Sequence, residues 1–253
     1  MDAHHPVVTV DIDSDQPVEA RVSLEHWRTK RRKLKGPEAH SAYGLLPAGG
    51  ESVVVEPIFV EPDTIMTGQR NRVVWYHRNE RSIWQANLQL QALEDVTEDQ
   101  ADPLFHRTFG ALIQGEGLIR QSDTTLKSAE PANRIPVAVY ALTAQTETAG
   151  AWLTQLEANA QHIGALSRDQ RLIVHRAWWK AFWERSHIRI STKNDKDRKV
   201  LENINFGYIL QRWINACGGR GKLPIKAAYL GLAQATGMWT SSFMPHSQYS
   251  RHR

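Results

Sequence analysis

The sequence has few of the features that would tie it to an oxidising compartment or a membrane. Its 253 residues include one cysteine, Cys217, which excludes an internal disulfide and a zinc site built from several cysteines. No apolar run reaches the roughly 20 residues that a membrane-spanning helix needs, so no membrane partner is expected. The N-terminus has neither the basic start nor the apolar core of a signal peptide, which leaves localisation open.

Motifs that mark a catalytic nucleophile, a cofactor or a metal site are also missing. The sequence contains no GxSxG, GxGxxG or HExxH pattern. The stretch GGRGK at 218–222 lacks the spacing of a phosphate loop, because Ala216 stands where the first glycine belongs and Leu223 where Ser or Thr belongs. Its glycines are better explained as the end of a helix. We expect no cofactor and no bound metal.

Acidic residues are absent after Glu202, whereas basic residues continue to the end of the chain. A separate basic segment, WRTKRRKLK at 27–35, contains six lysines and arginines. Such a segment can contact phosphates, but this one follows a predicted strand and carries a single aromatic residue, Trp27. A solvated connector is therefore favoured, and no nucleic-acid partner is expected.

The first half of the sequence alternates apolar and polar residues, as half-buried strands do. The alternation predicts strands over 8–12 and 18–25, joined as a hairpin by the turn residues SDQP. Further strands are predicted at 53–60, 72–77, 109–113, 118–121 and 135–141. The pair 109–113 and 118–121 is expected to form a hairpin through GEG at 115–117. Many short strands separated by turns predict an antiparallel β-sandwich.

From about residue 146 the apolar residues recur with a helical period. The first helix places four residues on one stripe: Trp152, Leu156, Ala160 and Ile163. Ser167 followed by Gln170 is a capping box that opens a second helix. After the extended SHIRIS, a third helix is predicted from about 197 to 217, ending at Gly218. The sequence therefore predicts an α+β fold with the strands first and the helices second.

The second helix carries the stretch HRAWWKAFWERS, residues 175–186, with three of the nine tryptophans. One face holds five residues at helical spacing: His175, Trp178, Trp179, Phe182 and Ser186. The favoured explanation is that these aromatic side chains pack this helix against another helix. The alternative is a carbohydrate platform, in which an indole stacks on a sugar ring while His175 or Arg185 bonds its hydroxyls. His175 has no second histidine at metal-ligand spacing on the helix.

Five strings together resemble the large bacterial proteins of domain of unknown function family 5703. They are SDQPVEARVSLEHWR at 14–28, WYHRNERSIW at 75–84, DPLFHRTFGA at 102–111, HRAWWKAFWERS at 175–186 and YILQRWINACGGRGKLPIK at 208–226. The resemblance covers residues 8–226. It implies a plan similar to the family 95 α-fucosidases, with an N-terminal β-sandwich, linker helices and an (α/α)6 barrel.

The resemblance also implies that this chain is an internal fragment of a longer, exported protein. On that basis we expect a partial β-sandwich over 1–145, a linker helix over 146–166, the start of the barrel over 167–226, and a divergent, loosely ordered tail over 227–253. Glycoside hydrolysis generally uses two carboxyl groups roughly 5 to 10 Å apart. The resemblance implies that these groups come from later helices and loops of the barrel. Because no carboxylate follows Glu202, we identify no catalytic pair in this chain.

The resemblance thus predicts a glycoside-hydrolase-like fragment that does not catalyse by itself, with a polysaccharide or oligosaccharide as its partner. The expected sugar-binding residues are His175, Trp178, Trp183 and Arg185. Arg220 and Lys226 are expected to contact an acidic or sulfated sugar. The alternative is a noncatalytic glycan-binding or scaffold module that folds independently. The sequence leaves the sugar and the oligomeric state open.

Overall fold

A computed structural model describes residues 1–43, 57–91, 93, 95 and 100–218. Antiparallel sheets are followed by long helices, so the chain has a mixed α+β fold. Two compact units divide within one helix, the first covering Met1–Trp178 and the second Trp179–Arg253. The predicted tail at 227–253 lies outside the described residues.

Ten strands make up the sheets in the described part of the chain. They are β1 (Val7–Val18), β2 (Arg21–Ser23), β3 (Arg32–Lys33), β4 (Phe59–Val60), β5 (Thr64–Ile65), β6 (Arg72–Arg78), β7 (Arg107–Gly115), β8 (Leu118–Ser122), β9 (Thr125–Ser128) and β10 (Ala132–Gln145). A five-stranded sheet has the order β1-β10-β7-β6-β5 and a three-stranded sheet the order β2-β9-β8, while β3 pairs with β4. Every pairing is antiparallel.

The helices are α1 (Gly36–Tyr43), α2 (Trp84–Gln91), α3 (Ala149–Ala165), α4 (Arg168–Arg185) and α5 (Asp195–Gly218). The predicted stripe on α3 is confirmed, because its four residues are the buried ones of that helix. The Thr148 hydroxyl accepts a hydrogen bond from the Ala151 amide and caps the start of α3. The predicted cap of α4 is also present, with the Gln170 amide 3.4 Å from the Ser167 hydroxyl.

Both faces of the five-stranded sheet are covered. Successive residues of a strand point to opposite faces, and Val73 and Val74 of β6 accordingly belong to different apolar clusters. Val73 packs with Leu118 and Leu126 of the three-stranded sheet, while Val74 packs with Trp152 of α3. The sheet therefore carries the core of the first unit on both sides.

The hairpin predicted from 8–12 and 18–25 is wrong. The residues SDQP do not reverse the chain, because β1 continues through them to Val18 with an irregular register after Asp13. The long β10 pairs along β1, and a bulge absorbs the extra residues. The chain then crosses to the other sheet, where the Ala20 amide bonds the Ser128 hydroxyl at 2.9 Å and β2 pairs with β9.

The second predicted hairpin, through residues 115–117, is also wrong. Both of its strands exist as β7 and β8, but β7 pairs with β10 and β6, whereas β8 pairs with β9. Gly117 has a φ of +72°, which allows the sharp turn that moves the chain between sheets. Alternation identified the strands without identifying their partners. Of the predicted strand 53–60, residues 53–56 lie outside the described residues, and β4 occupies its end.

Candidate functional site

Four of the predicted sugar-binding residues lie on α4. His175 and Trp178 belong to the first unit, whereas Trp183 and Arg185 belong to the second. Arg220 and Lys226 lie outside the described residues. The aromatic residues of this helix are all partly exposed, and α4 buries none of its residues. The structure therefore leaves some of their surface accessible.

Three aromatic rings at the end of α4 form a packed cluster. The Trp179 and Trp183 rings lie nearly parallel with centroids 6.2 Å apart, as expected for neighbours at i and i+4. Phe182 packs edge-on against both, with centroid distances of 5.6 Å to Trp179 and 5.0 Å to Trp183. Edge-to-face contacts of this kind are a favoured geometry for aromatic rings.

Arg212 of α5 holds this cluster in place. Its guanidinium lies 4.8 Å from the Phe182 ring centroid and 5.0 Å from that of Trp183, within cation–π range. It also donates hydrogen bonds to the backbone oxygens of Phe182, at 3.2 Å, and of Ser186. Carbonyls at a helix end lack partners within the helix, so Arg212 satisfies two of them. In the sequence, nothing separates Arg212 from the other basic residues that follow Glu202.

Asn205 of α5 forms hydrogen bonds with the segment that follows α4. Its amide group donates to the Ile190 carbonyl at 2.8 Å and accepts from the Ile190 amide at 2.9 Å. This paired contact resembles the hydrogen bonding between strands. It holds Ile190 of the predicted extended piece SHIRIS against α5, although the piece belongs to no sheet. A single asparagine on a helix gave no signal in the sequence.

A groove of about 760 Å³ lies between the end of α4, this segment and α5. Aromatic surface comes from Trp183, Phe206 and Tyr208, and polar groups come from Glu184, His187 and Glu202. The volume falls within the roughly 300 to 1,000 Å³ of small-ligand sites. Glu184 forms an ion pair with Lys180 one helical turn away, as expected of a surface residue at that position.

Half of the six cations in the basic segment 27–35 are paired with neighbouring carboxylates. Three of its arginines make ion pairs: Arg28 with Asp63 at 2.6 Å, Arg31 with Glu61 at 2.8 Å, and Arg32 with Glu38 at 2.5 Å. These ion pairs join the segment to the chain around it. The sequence did not indicate Asp63 and Glu61 because they lie 35 and 30 residues from their arginines, whereas Glu38 lies six residues from Arg32.

Asp63 is the most buried of these carboxylates, with its side chain 3% exposed. Its Oδ1 atom also lies 3.1 Å from His77 Nδ1. Burial lowers the pKa of His77, and the positive charge of Arg28 lowers it further, while Asp63 acts in the opposite direction. A neutral His77 with the proton on Nδ1 suits this geometry.

A family model described as a domain of unknown function (DUF5703) matches residues 1–188, more than half of the chain. The chain belongs to this family. The DUF5703 match covers every described strand and all of α3 and α4, and it ends before α5. The string at 208–226 lies beyond the match, so its resemblance stays a prediction. Neither the curated proteins nor the solved structures include a match to this chain.

Among the residues that the structure describes, no group of three His, Cys, Asp or Glu side chains is arranged to hold a metal ion. No helix in the same residues combines the length and apolarity needed to cross a bilayer.

Proposed function

We propose that this DUF5703 chain is part of a glycoside-hydrolase-like, carbohydrate-active protein and contacts sugar without cleaving it alone. In this proposal the sheets are the rear of a β-sandwich, α3 is a linker, and α4 and α5 begin an (α/α)6 barrel. The order of sheets before long helices supports that plan.

The groove beside α4 and α5 is the observation that carries the proposal. Trp183 and Tyr208 offer aromatic surface on which the apolar face of a sugar ring can stack. His187 and Glu202 offer hydrogen-bonding groups for hydroxyls at the same site. This combination of a largely apolar wall and a few polar groups is typical of sites for small polar ligands.

The ion pair of one groove carboxylate supports a role in binding over one in cleavage. A glycosidase needs one carboxyl group to protonate the leaving oxygen and a second to act on the opposite face of the sugar. Of the two carboxylates in the groove, Glu184 is engaged by Lys180. Hydrolysis by this chain alone is therefore not part of the proposal.

A noncatalytic glycan-binding or scaffold module is the second candidate. The observation in its favour is that the first unit has its own core, with apolar clusters on both faces of the five-stranded sheet. Such a unit would give a cooperative melt and a monomer in solution. The fragment proposal instead expects binding of a dye for exposed apolar surface and association on size exclusion, because α4 and α5 leave large apolar residues exposed.

Affinity electrophoresis through soluble neutral and sulfated polysaccharides tests the sugar contact. We expect the chain to be retarded by at least one polymer, and Trp183→Ala to weaken retention about two- to tenfold through loss of stacking. Trp213→Ala is the matched control, because Trp213 is a 48% exposed tryptophan on α5 that does not line the groove. Equal retention of the wild type and Trp183→Ala would show that the groove does not contact the polysaccharide through Trp183.

A further inference from the structure

The turn at residues 102–106, which precedes β7, is fixed by an unusual number of side-chain hydrogen bonds. Each of the five backbone carbonyl oxygens in the turn accepts a hydrogen bond from a side chain. The donors are Gln145 to Asp102 and Phe105, Arg107 to Pro103, Asn79 to Leu104, and Arg78 to His106. The Asp102 carboxylate also accepts from the Leu104 and Phe105 amides. Surface turns are usually mobile, whereas this one is held along its whole length.

Arg78 ties the turn to two neighbouring segments. Its side chain is 6% exposed and donates to the carbonyl oxygens of His106, Thr146 and Glu147 at 2.8 to 3.0 Å. Its Nε atom pairs with Glu80 at 3.0 Å. One buried arginine thus fixes the loop after β6, the turn before β7 and the loop after β10 relative to one another.

The held turn contains a strained residue. His106 has a φ of +60°, a left-handed conformation that costs about 1 kcal/mol or more in a residue other than glycine. Its imidazole stacks on the Phe105 ring, with centroids 3.8 Å apart and planes inclined by 24°. Strain persists only where surrounding contacts enforce it, and it concentrates at binding and catalytic sites.

The groups exposed by the turn and by the neighbouring loop after β6 are suited to a neutral sugar. Phe105 is 41% exposed, although a phenylalanine is normally buried. Glu80 is 62% exposed, and its Oε2 atom lies 3.9 Å from His106 Nε2. An aromatic face beside an imidazole and a carboxylate can stack on a pyranose while bonding its hydroxyls. Because Glu80 is paired with Arg78, the pair carries little net charge, which suits a neutral sugar.

We propose that Phe105, His106 and Glu80 form a carbohydrate contact in the first unit, separate from the groove of the second. This inference rests on the proposed function for its class of ligand and adds a second binding surface with a preference for neutral polysaccharide. The hydrogen-bonded turn positions Phe105 and His106, and the ion pair with Arg78 positions Glu80, so binding does not have to order these side chains.

Affinity electrophoresis in neutral polysaccharides (xylan, galactomannan and soluble starch), with a sulfated galactan for comparison, tests the inference. We expect Phe105→Ala to weaken retention in at least one neutral polymer about two- to tenfold, and Phe105→Tyr to preserve it. His106→Gly should weaken retention without lowering the melting temperature, because glycine accepts the left-handed backbone. Asn71→Gly is the control, since Asn71 is another non-glycine residue with positive φ, at +53°.

The outcomes separate this inference from the proposed function. Loss of retention in Phe105→Ala and His106→Gly, but not in Asn71→Gly, supports the contact, whatever Trp183→Ala does. If Phe105→Ala binds as the wild type does while Trp183→Ala is impaired, the inference is wrong and the groove proposal stands. If the wild-type chain is retarded by none of the polymers, both are wrong.

Discussion

The Oδ1 atom of buried Asp63 lies 3.1 Å from the Nδ1 atom of His77. The same oxygen lies 2.6 Å from Arg28 Nε, so one carboxylate atom holds two groups from different parts of the chain. Strand β6 supplies His77, and Arg28 belongs to the basic segment 27–35. The contact therefore joins that segment to the five-stranded sheet.

Burial of His77 and the nearby Arg28 predict that acid destabilises the chain, although Asp63 opposes the effect. Burial and Arg28 lower the pKa of His77 in the folded protein, whereas an unfolded histidine has a pKa of about 6.5. Below about pH 6.5 the unfolded state therefore binds more protons at this residue, and the free energy of unfolding falls as the pH drops through that window. Well above about pH 6.5, His77 is neutral in both the folded and the unfolded state, so it no longer makes the free energy of unfolding depend on pH.

Urea unfolding at several pH values checks this prediction. His77→Gln removes the titrating group, so the loss of stability between about pH 6.5 and pH 5 should be smaller in the variant. Between about pH 7.5 and pH 9 the difference between the two proteins should stay constant. Parallel curves across the acidic range would contradict a lowered pKa for His77.

The sequence predicted local structure better than it predicted partners. The stripe of α3 and the Ser167 cap were predictable because helix period and capping depend on residues at most four positions apart. The two hairpins were wrong because strand alternation identifies the buried face and not the strand across from it. Arg212 and Asn205 were missed for the same reason, since their partners lie 15 to 30 residues away.

A glycine in the middle of β7 marks a close approach of two strands. A Cβ atom on Gly110 would lie 2.1 Å from the Trp75 carbonyl oxygen and 2.6 Å from the Tyr76 Cα atom. These are backbone atoms of the paired strand β6 and cannot move without breaking the pairing. Gly110→Ala should therefore destabilise the first unit by about 3 kcal/mol or more, as severe overpacking does.

Gly150→Ala is the matched control for that measurement. Gly150 lies in the first turn of α3, and an added Cβ would meet only the Thr148 hydroxyl oxygen at 3.8 Å, an ordinary contact. Alanine at this helical position should stabilise by about 0.5 to 1 kcal/mol. Thermal unfolding followed by circular dichroism should give opposite signs for the two substitutions. A neutral Gly110→Ala would contradict this close approach of β6 and β7.

Arg212 is expected to control the environment of the aromatic cluster in the second unit. Arg212→Met keeps most of the side-chain volume but removes the hydrogen bonds to Phe182 and Ser186 and the cation over Trp183. We expect faster hydrogen exchange at the end of α4 and a changed near-ultraviolet signal. Arg185→Met is the control, because Arg185 lies on α4 itself, with its guanidinium 5.4 Å from the Phe182 ring centroid. Equal effects of both variants would contradict the role of Arg212.

The basic segment 27–35 should bind nucleic acid poorly despite its composition. Arg28, Arg31 and Arg32 already face carboxylates, so a phosphate backbone would have to displace those pairs. Fluorescence anisotropy with a labelled DNA duplex at low salt should detect little or no binding. Glu38→Gln combined with Glu61→Gln removes two of the three carboxylates and should increase a salt-sensitive, sequence-independent binding. Strong binding by the wild type that weakens steeply with salt would show that these ion pairs do not mask the segment.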